Sequence, residues 1–286
     1  MVYMQRNIKN GLLVMLTAFL LSACSFGFIY NNLDWWSNWY LDDYVKLNQE
    51  QQQIFDTAFD ELHSWHRQTQ LREYYLQLIV LKKQVNDGIS KNALNAHLVR
   101  VKNHWIVVRE KAKPQLISLT HTLSKSQRQQ VIDEIDSINK ERIEDRDELS
   151  KAQWYQAECK ERQQQFRKWV GKLTKTQKAE VCNFIQGSSS TFAHRMDYRI
   201  KWHSDFKQVL AMNINKQQYE VMFTALISDP ESLKSDEHVI LSANNSEISV
   251  TIFHYVMNNL TDKQRKRFNH KVDELIDDLK ALEIDR

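Results

Sequence analysis

The sequence predicts an all-α fold, an irregular multi-helix bundle or array behind a cleaved signal peptide. Two observations carry this. Glycine and proline are scarce, five and two in 286 residues, whereas sheets and their turns consume both. A helix-start motif also recurs: an apolar residue, then Ser, Thr or Asn, two residues, then Gln. Its copies are Leu47-Asn48…Gln51, Leu123-Ser124…Gln127, Leu149-Ser150…Gln153, Leu173-Thr174…Gln177, Ile214-Asn215…Gln218 and Leu260-Thr261…Gln264, with a degraded copy at Ile89-Ser90…Ala93. This is capping-box chemistry. The cap oxygen accepts from an orphan amide three residues on, and the Gln side chain reaches back to the cap's own amide. An apolar residue follows most caps by seven positions, two turns along one face. The irregular spacing of the starts argues against a strict solenoid.

The chain begins with Arg6 and Lys9, then an apolar run from Gly11 to Leu21. A membrane span needs about 20 such residues, so this run reads as a signal-peptide core. It closes on Leu21-Ser22-Ala23-Cys24, the pattern of a lipobox. That reading expects residues 1–23 to be removed and Cys24 to carry acyl chains such as palmitate. An ordinary secretory signal is the alternative. Residue 25 is Ser, and the absence of Asp there resembles outer-membrane cargo facing the periplasm. Each buried methylene contributes about 0.8 kcal/mol, so more than one chain makes the attachment stable. Residues 24–32 are expected to form a short tether, reaching roughly 25–30 Å if extended. The helical periplasmic domain then occupies residues 33–286. No later segment approaches 18 consecutive apolar residues, so no second membrane crossing is expected.

Removal of the leader leaves 37 basic and 36 acidic residues. A balance so near zero is no electrostatic footprint for nucleic acid. No nucleic-acid partner is expected; the expected partners are the membrane, through the lipid, and an envelope protein.

Taken in order, the starts and breakers predict a first helix over about Leu33 to Lys46 and a second from Gln49. A break near Thr69 precedes Leu71 to Val85, which ends at Asp87-Gly88. Lys91 to Leu123 contains Pro114, which should kink or split it. Lys125 to Leu149 is dense in mixed charge, and 141–148 reads as a solvated face held by weak ion pairs. Lys151–Val170 and Lys175–Ile185 form a helical hairpin around Gly171, and residues 187–190 form a loop. Helices over Thr191–Met212 and Lys216–Ile227 follow, then a break at Asp229-Pro230. Two helices, Ile248–Asn259 and Asp262–Leu282, close the chain.

Cys159 and Cys182 lie nearly equidistant from Gly171, so an antiparallel hairpin sets them side by side. In an oxidising periplasm they are expected to form a disulfide.

On the first helix, Trp35, Trp36, Trp39 and Tyr40 share a face, with Asp43 one turn beyond Trp39. This is the candidate binding face. One reading is an interfacial belt against lipid headgroups. The expected arrangement is packing into the bundle core, as for most aromatic stripes. A carboxylate amid such a face is costly unless paired, so Asp43 is expected to meet Arg67 or Arg72.

Ten histidines raise the question of a metal. Asp60 with His63, and His97 with His104, are the nearest groupings, and neither supplies the three or four convergent ligands of a zinc site. Neither a nucleophile elbow, a phosphate loop nor a dinucleotide fingerprint is present. No catalytic residue, metal or cofactor is expected, and no enzyme activity. Lys263, Arg265, Lys266 and Arg267 form a basic cluster of ordinary surface type.

The segments Tyr30-Asn31-Asn32-Leu33-Asp34-Trp35-Trp36 and Trp39-Tyr40-Leu41-Asp42-Asp43-Tyr44, with the Leu47 cap, resemble an uncharacterised family of proteobacterial lipoproteins, a domain of unknown function. Trp65-His66-Arg67, Leu173 to Gln177 and Leu260 to Gln264 are similar to it as well. Tyr40 stands where that family has Trp, and Asn48 where it has Thr. The resemblance spans nearly the whole chain and implies a location and a fold, but no activity. The Leu-Thr-x-x-Gln element is also similar to one in Spy-type periplasmic chaperones. The expected function is therefore a non-enzymatic binding or scaffold module of the envelope, with a chaperone or envelope-stress role as the alternative.

Overall fold

A computed structural model describes residues 25–144, 149–212 and 214–284. Cys24 and the lipobox lie outside the described residues, as do 145–148 of the charged run. Every described regular element is a helix: α1 (Ser25–Asn31), α2 (Leu33–Tyr44), α3 (Gln49–Thr69), α4 (Leu71–Asp87), α5 (Lys91–Thr122) and α6 (Lys125–Glu144). After these come α7 (Lys151–Val170), α8 (Lys175–Ile185), α9 (Phe192–Ala211), α10 (Lys216–Ser228), a 3-10 turn (Pro230–Leu233), α11 (Asp236–Asn258) and α12 (Asp262–Ile284).

The motif caps sit where the sequence puts them. Asn48, Ser150 and Thr174 form complete capping boxes with Gln51, Gln153 and Gln177. Ser124 and Gln127 exchange the same two bonds, as do Thr261 and Gln264. Asn215 caps α10 and Ser90 caps α5. Four of these glutamines do more than cap. Gln51 and Gln127 are buried and bond to each other. Gln51 also donates to the Thr122 carbonyl at 3.0 Å, and Gln127 to that of Lys46 at 2.8 Å. The starts of α3 and α6 are thereby clasped together.

The sequence expectations need correction at three places. Helix begins earlier than Leu33. Ser25–Asn31 is helical, and Tyr30 is buried against Leu71, Leu279 and Leu282. Seven helical residues rise only about 10 Å, so the lead into the body is shorter than an extended one. Of the two outcomes expected at Pro114, the split does not occur: α5 is one helix from Lys91 to Thr122, packed on α3 and α10. Finally, α11 starts at Asp236 rather than near Ile248, capped by Ser235, which accepts from the His238 amide. Ser235 lacks a Gln three residues on, so the motif does not reveal it.

The main core gathers Val85 of α4, Phe166 and Val170 of α7, Val181 and Ile185 of α8, Val256 of α11 and Phe268 and Val272 of α12. A second cluster joins Ile117 of α5 to Phe206 and Leu210 of α9 and Tyr219 and Phe223 of α10. Helix α12 runs antiparallel to α4: Lys280 lies over the Tyr75 ring, Lys82 pairs with Asp273 and Asn86 with Asn269. Its apolar positions Phe268, Val272, Ile276, Leu279 and Leu282 follow the helical period, and all are buried. Cys159 and Cys182 are joined across the α7–α8 hairpin, with Cα atoms 5.0 Å apart. The turn between them needs Gly171. Its φ is +79°, and a Cβ there would stand 3.0 Å from the Arg267 side chain.

Candidate functional site

Two surfaces carry the features from which a function can be argued. The first is the aromatic face. Trp35, Trp36, Trp39 and Tyr40 are 58, 40, 54 and 59 % exposed, and α2 contributes no buried residue. The expected core packing is therefore wrong. The cause lies on the opposite side of α2, where the contact to α3 is polar. Asn38 donates to Asp56 at 3.2 Å and accepts from Gln52. Such a seam turns the rings outward, where Trp36 packs edge-on to both Trp35 and Trp39, at 4.8 and 6.0 Å. Phe28 and Ile29 of α1 are exposed as well.

The pairing expected for Asp43 does not form. The carboxylate is exposed. Arg67 lies instead over the Tyr30 ring and donates to Asn31 and to the Leu282 carbonyl. With water available, the partner that a buried carboxylate needs is no longer required. Asp42 pairs with Lys46 on the surface at 3.3 Å. Tyr40 and Tyr44 share a hydroxyl contact at 2.7 Å, and burial together with that bond pushes Tyr44 up to about 12.

The second surface was not foreseen. A groove of about 770 Å³ opens among five helices. Leu78 and Leu81 of α4 and Val272, Leu275 and Leu279 of α12 line one part of it. Val250 and Phe253 of α11 and Phe166 of α7 line another, and Leu94, Leu98 and Val101 of α5 a third. Leu98, Val101 and Trp169 are largely exposed along its edges. The volume is that of a small-molecule site, and the lining is overwhelmingly apolar. One sequence signal pointed to it. Leu94, Leu98, Val101 and Trp105 fall at i, i+4, i+7 and i+11, a stripe on α5 that only partly finds a partner.

A polar ladder lies beside the groove. The buried Gln77 amide donates to the His97 carbonyl at 3.0 Å, and its oxygen accepts from His104 Nε2 at 2.8 Å. The His104 ring packs edge-on to Tyr74 at 4.7 Å. His66 bridges the Tyr74 and Tyr30 hydroxyls, at 3.1 and 2.8 Å. Burial lowers the pKa of His66 to about 4, with His63 adding to the effect, and lowers those of His63, His97 and His104 as well. The ladder therefore holds neutral imidazoles: His66 bonds to two tyrosines, His97 and His104 bond to glutamines, and the buried His63 Nε2 has no partner. Among the described residues no three His, Cys, Asp or Glu side chains gather as a metal site. Among the same residues no helix is long and apolar enough to cross a membrane.

A family of unknown function, DUF6279, matches residues 43–239, well over half of the chain. The chain belongs to this family. The DUF6279 match takes in Trp65-His66-Arg67 and Leu173 to Gln177. It starts at Asp43, beyond Trp35, Trp36, Trp39 and Tyr40, and stops early in α11, short of Leu260 to Gln264. It includes the α5 and α7 walls of the groove and leaves out the α12 wall. No curated protein and no solved structure matches the chain.

Proposed function

We propose that this DUF6279 protein is an outer-membrane lipoprotein, held by acyl chains on Cys24 at the periplasmic face, and that it acts as a non-enzymatic binding module of the envelope. The observation that carries the binding role is the five-helix groove, an apolar recess in a body of otherwise mixed charge. Leu21-Ser22-Ala23-Cys24 supports the anchor. The exposed rings of α2 support a body lying close to the bilayer, since Trp and Tyr partition to the headgroup level. Partner proteins would meet the module there.

Titration of the full chain, kept in solution with an amphipathic polymer, with N-phenyl-1-naphthylamine tests the binding role. The expected result is a saturable rise in fluorescence that Leu98→Trp weakens by crowding the edge of the recess. A linear rise, unchanged by the substitution, refutes it. Fractionation of Cys24→Ser tests the anchor, which requires loss of the processed, membrane-bound form.

A chaperone role is the second reading, favoured by the exposed Val101, Trp105 and Trp169 near the groove. It requires the chain to suppress aggregation of unrelated unfolded clients at near-stoichiometric amounts.

A further inference from the structure

Resting on the binding role proposed above, we infer that the groove takes a long-chain fatty carboxylate, its alkyl chain along α12 and its head at Arg162. Length is the first argument. Phe268, Val272, Leu275 and Leu279 line the recess from one helix, and eleven residues of α-helix rise about 16 Å. That is a slot for a linear chain. Both of its edges carry exposed apolar side chains, Leu98 and Val101 on α5 and Trp169 on α7.

The head group follows from charge. Among the groove-lining residues, Arg162 alone carries a full positive charge. Its Nη2 donates to Glu158 at 3.0 Å, while its Nε is buried and has no partner. A buried guanidinium N–H without an acceptor is costly, and a carboxylate is the acceptor whose geometry it fits. The other polar side chains do not compete for that role. Gln77 donates to the His97 carbonyl and accepts from His104, the His97 ring bonds to Gln84, and Gln165 donates to Glu161. The ligand is thus an anion with one apolar tail, and an uncharged long-chain alcohol would leave Nε unanswered by a charged acceptor.

Photolabelling tests this. The full chain, kept in solution with an amphipathic polymer, is irradiated with a diazirine-bearing myristic acid, and labelled peptides are mapped by mass spectrometry. Labels are expected on the peptides holding Leu98, Phe253 and Leu275. Myristate should compete at a concentration at least tenfold lower than tetradecanol. Arg162→Gln should weaken competition by myristate about tenfold and leave tetradecanol within twofold. Glu158→Gln, which removes the rival carboxylate, should leave myristate as effective or make it more so. Equal competition by acid and alcohol, unchanged in Arg162→Gln, overturns the carboxylate assignment and leaves an apolar site standing. Equal weakening by Glu158→Gln also overturns it, since Arg162 would then serve the fold alone. Labels scattered outside the groove and indifferent to Leu98→Trp overturn the site itself. So does labelling that falls as the chain dimerises, because a second copy would then fill the recess.

Discussion

Gln177 and Gln264 exchange side-chain amide bonds of 3.0 and 2.8 Å across 87 residues of chain. Each oxygen also accepts from its own cap amide, and each amide nitrogen donates to the carbonyl two residues before the other's cap, Asn259 and Lys172. The Gln51–Gln127 clasp has the same bonds at equivalent positions. Gln177→Ala would leave half of the buried Gln264 amide without its partner and break the part-buried bonds to the Asn259 carbonyl and the Thr174 amide. Unmade buried hydrogen bonds cost about 1–3 kcal/mol each, so a loss of about 3 kcal/mol is expected in urea unfolding. The double variant with Gln264→Ala should cost less than the two single losses combined, which a double-mutant cycle reads directly.

The Cys159–Cys182 bridge closes a loop with a sequence separation of 23 residues. Loop-entropy arguments give such a bridge about 3 kcal/mol. Urea unfolding with and without reductant should differ by that order. The double Cys→Ser variant should match the reduced protein and show no further response to reductant.

Acid should weaken the fold through the His–Tyr–Gln ladder. The folded pKa values of His63, His66, His97 and His104 all lie below the unfolded one. The unfolded chain therefore binds more protons, and stability, intact above about pH 6.5, is lost as pH falls toward the folded values. For His66 that window reaches down to about 4. Thermal melts at pH 7.5 and 5 should show the drop. His66→Gln, which hydrogen-bonds without titrating, should reduce it, leaving the part due to His63, His97 and His104.

The rings of α2 should be cheap to remove. Trp35→Ser, Trp36→Ser and Trp39→Ser replace exposed side chains, so each should shift unfolding by no more than about 0.5 kcal/mol. If the face meets lipid, the blue shift of tryptophan fluorescence on adding phospholipid vesicles should shrink in the triple variant while the melt stays put.

The helices, their caps and the cysteine pairing could be read from residues close together in sequence, because a capping box and a hairpin are local physics. The sign of burial on α2 could not. Trp35, Trp36 and Trp39 form as good an inward stripe as an outward one, and contacts made across the fold, such as those of Asn38 with Asp56 and Gln52, decide between them. The groove was no more than hinted at by the α5 stripe, for a related reason. Its wall residues come from α4, α5, α7, α11 and α12, and whether such stripes meet or leave a gap depends on how far apart the helices stand. The second use of Gln51 and Gln177, as a clasp, was hidden behind the first.

The last helix is the keystone. Helix α12 supplies Phe268 and Val272 to the main core, Leu279 and Leu282 to the pocket that receives Tyr30, and Gln264 to its clasp. A nascent chain has none of these closed until α12 has emerged, so the helices that precede it must wait, incompletely buried, for Gln264, Phe268 and Leu282. A stop before Leu279 would strip two of the three buried leucines from around Tyr30.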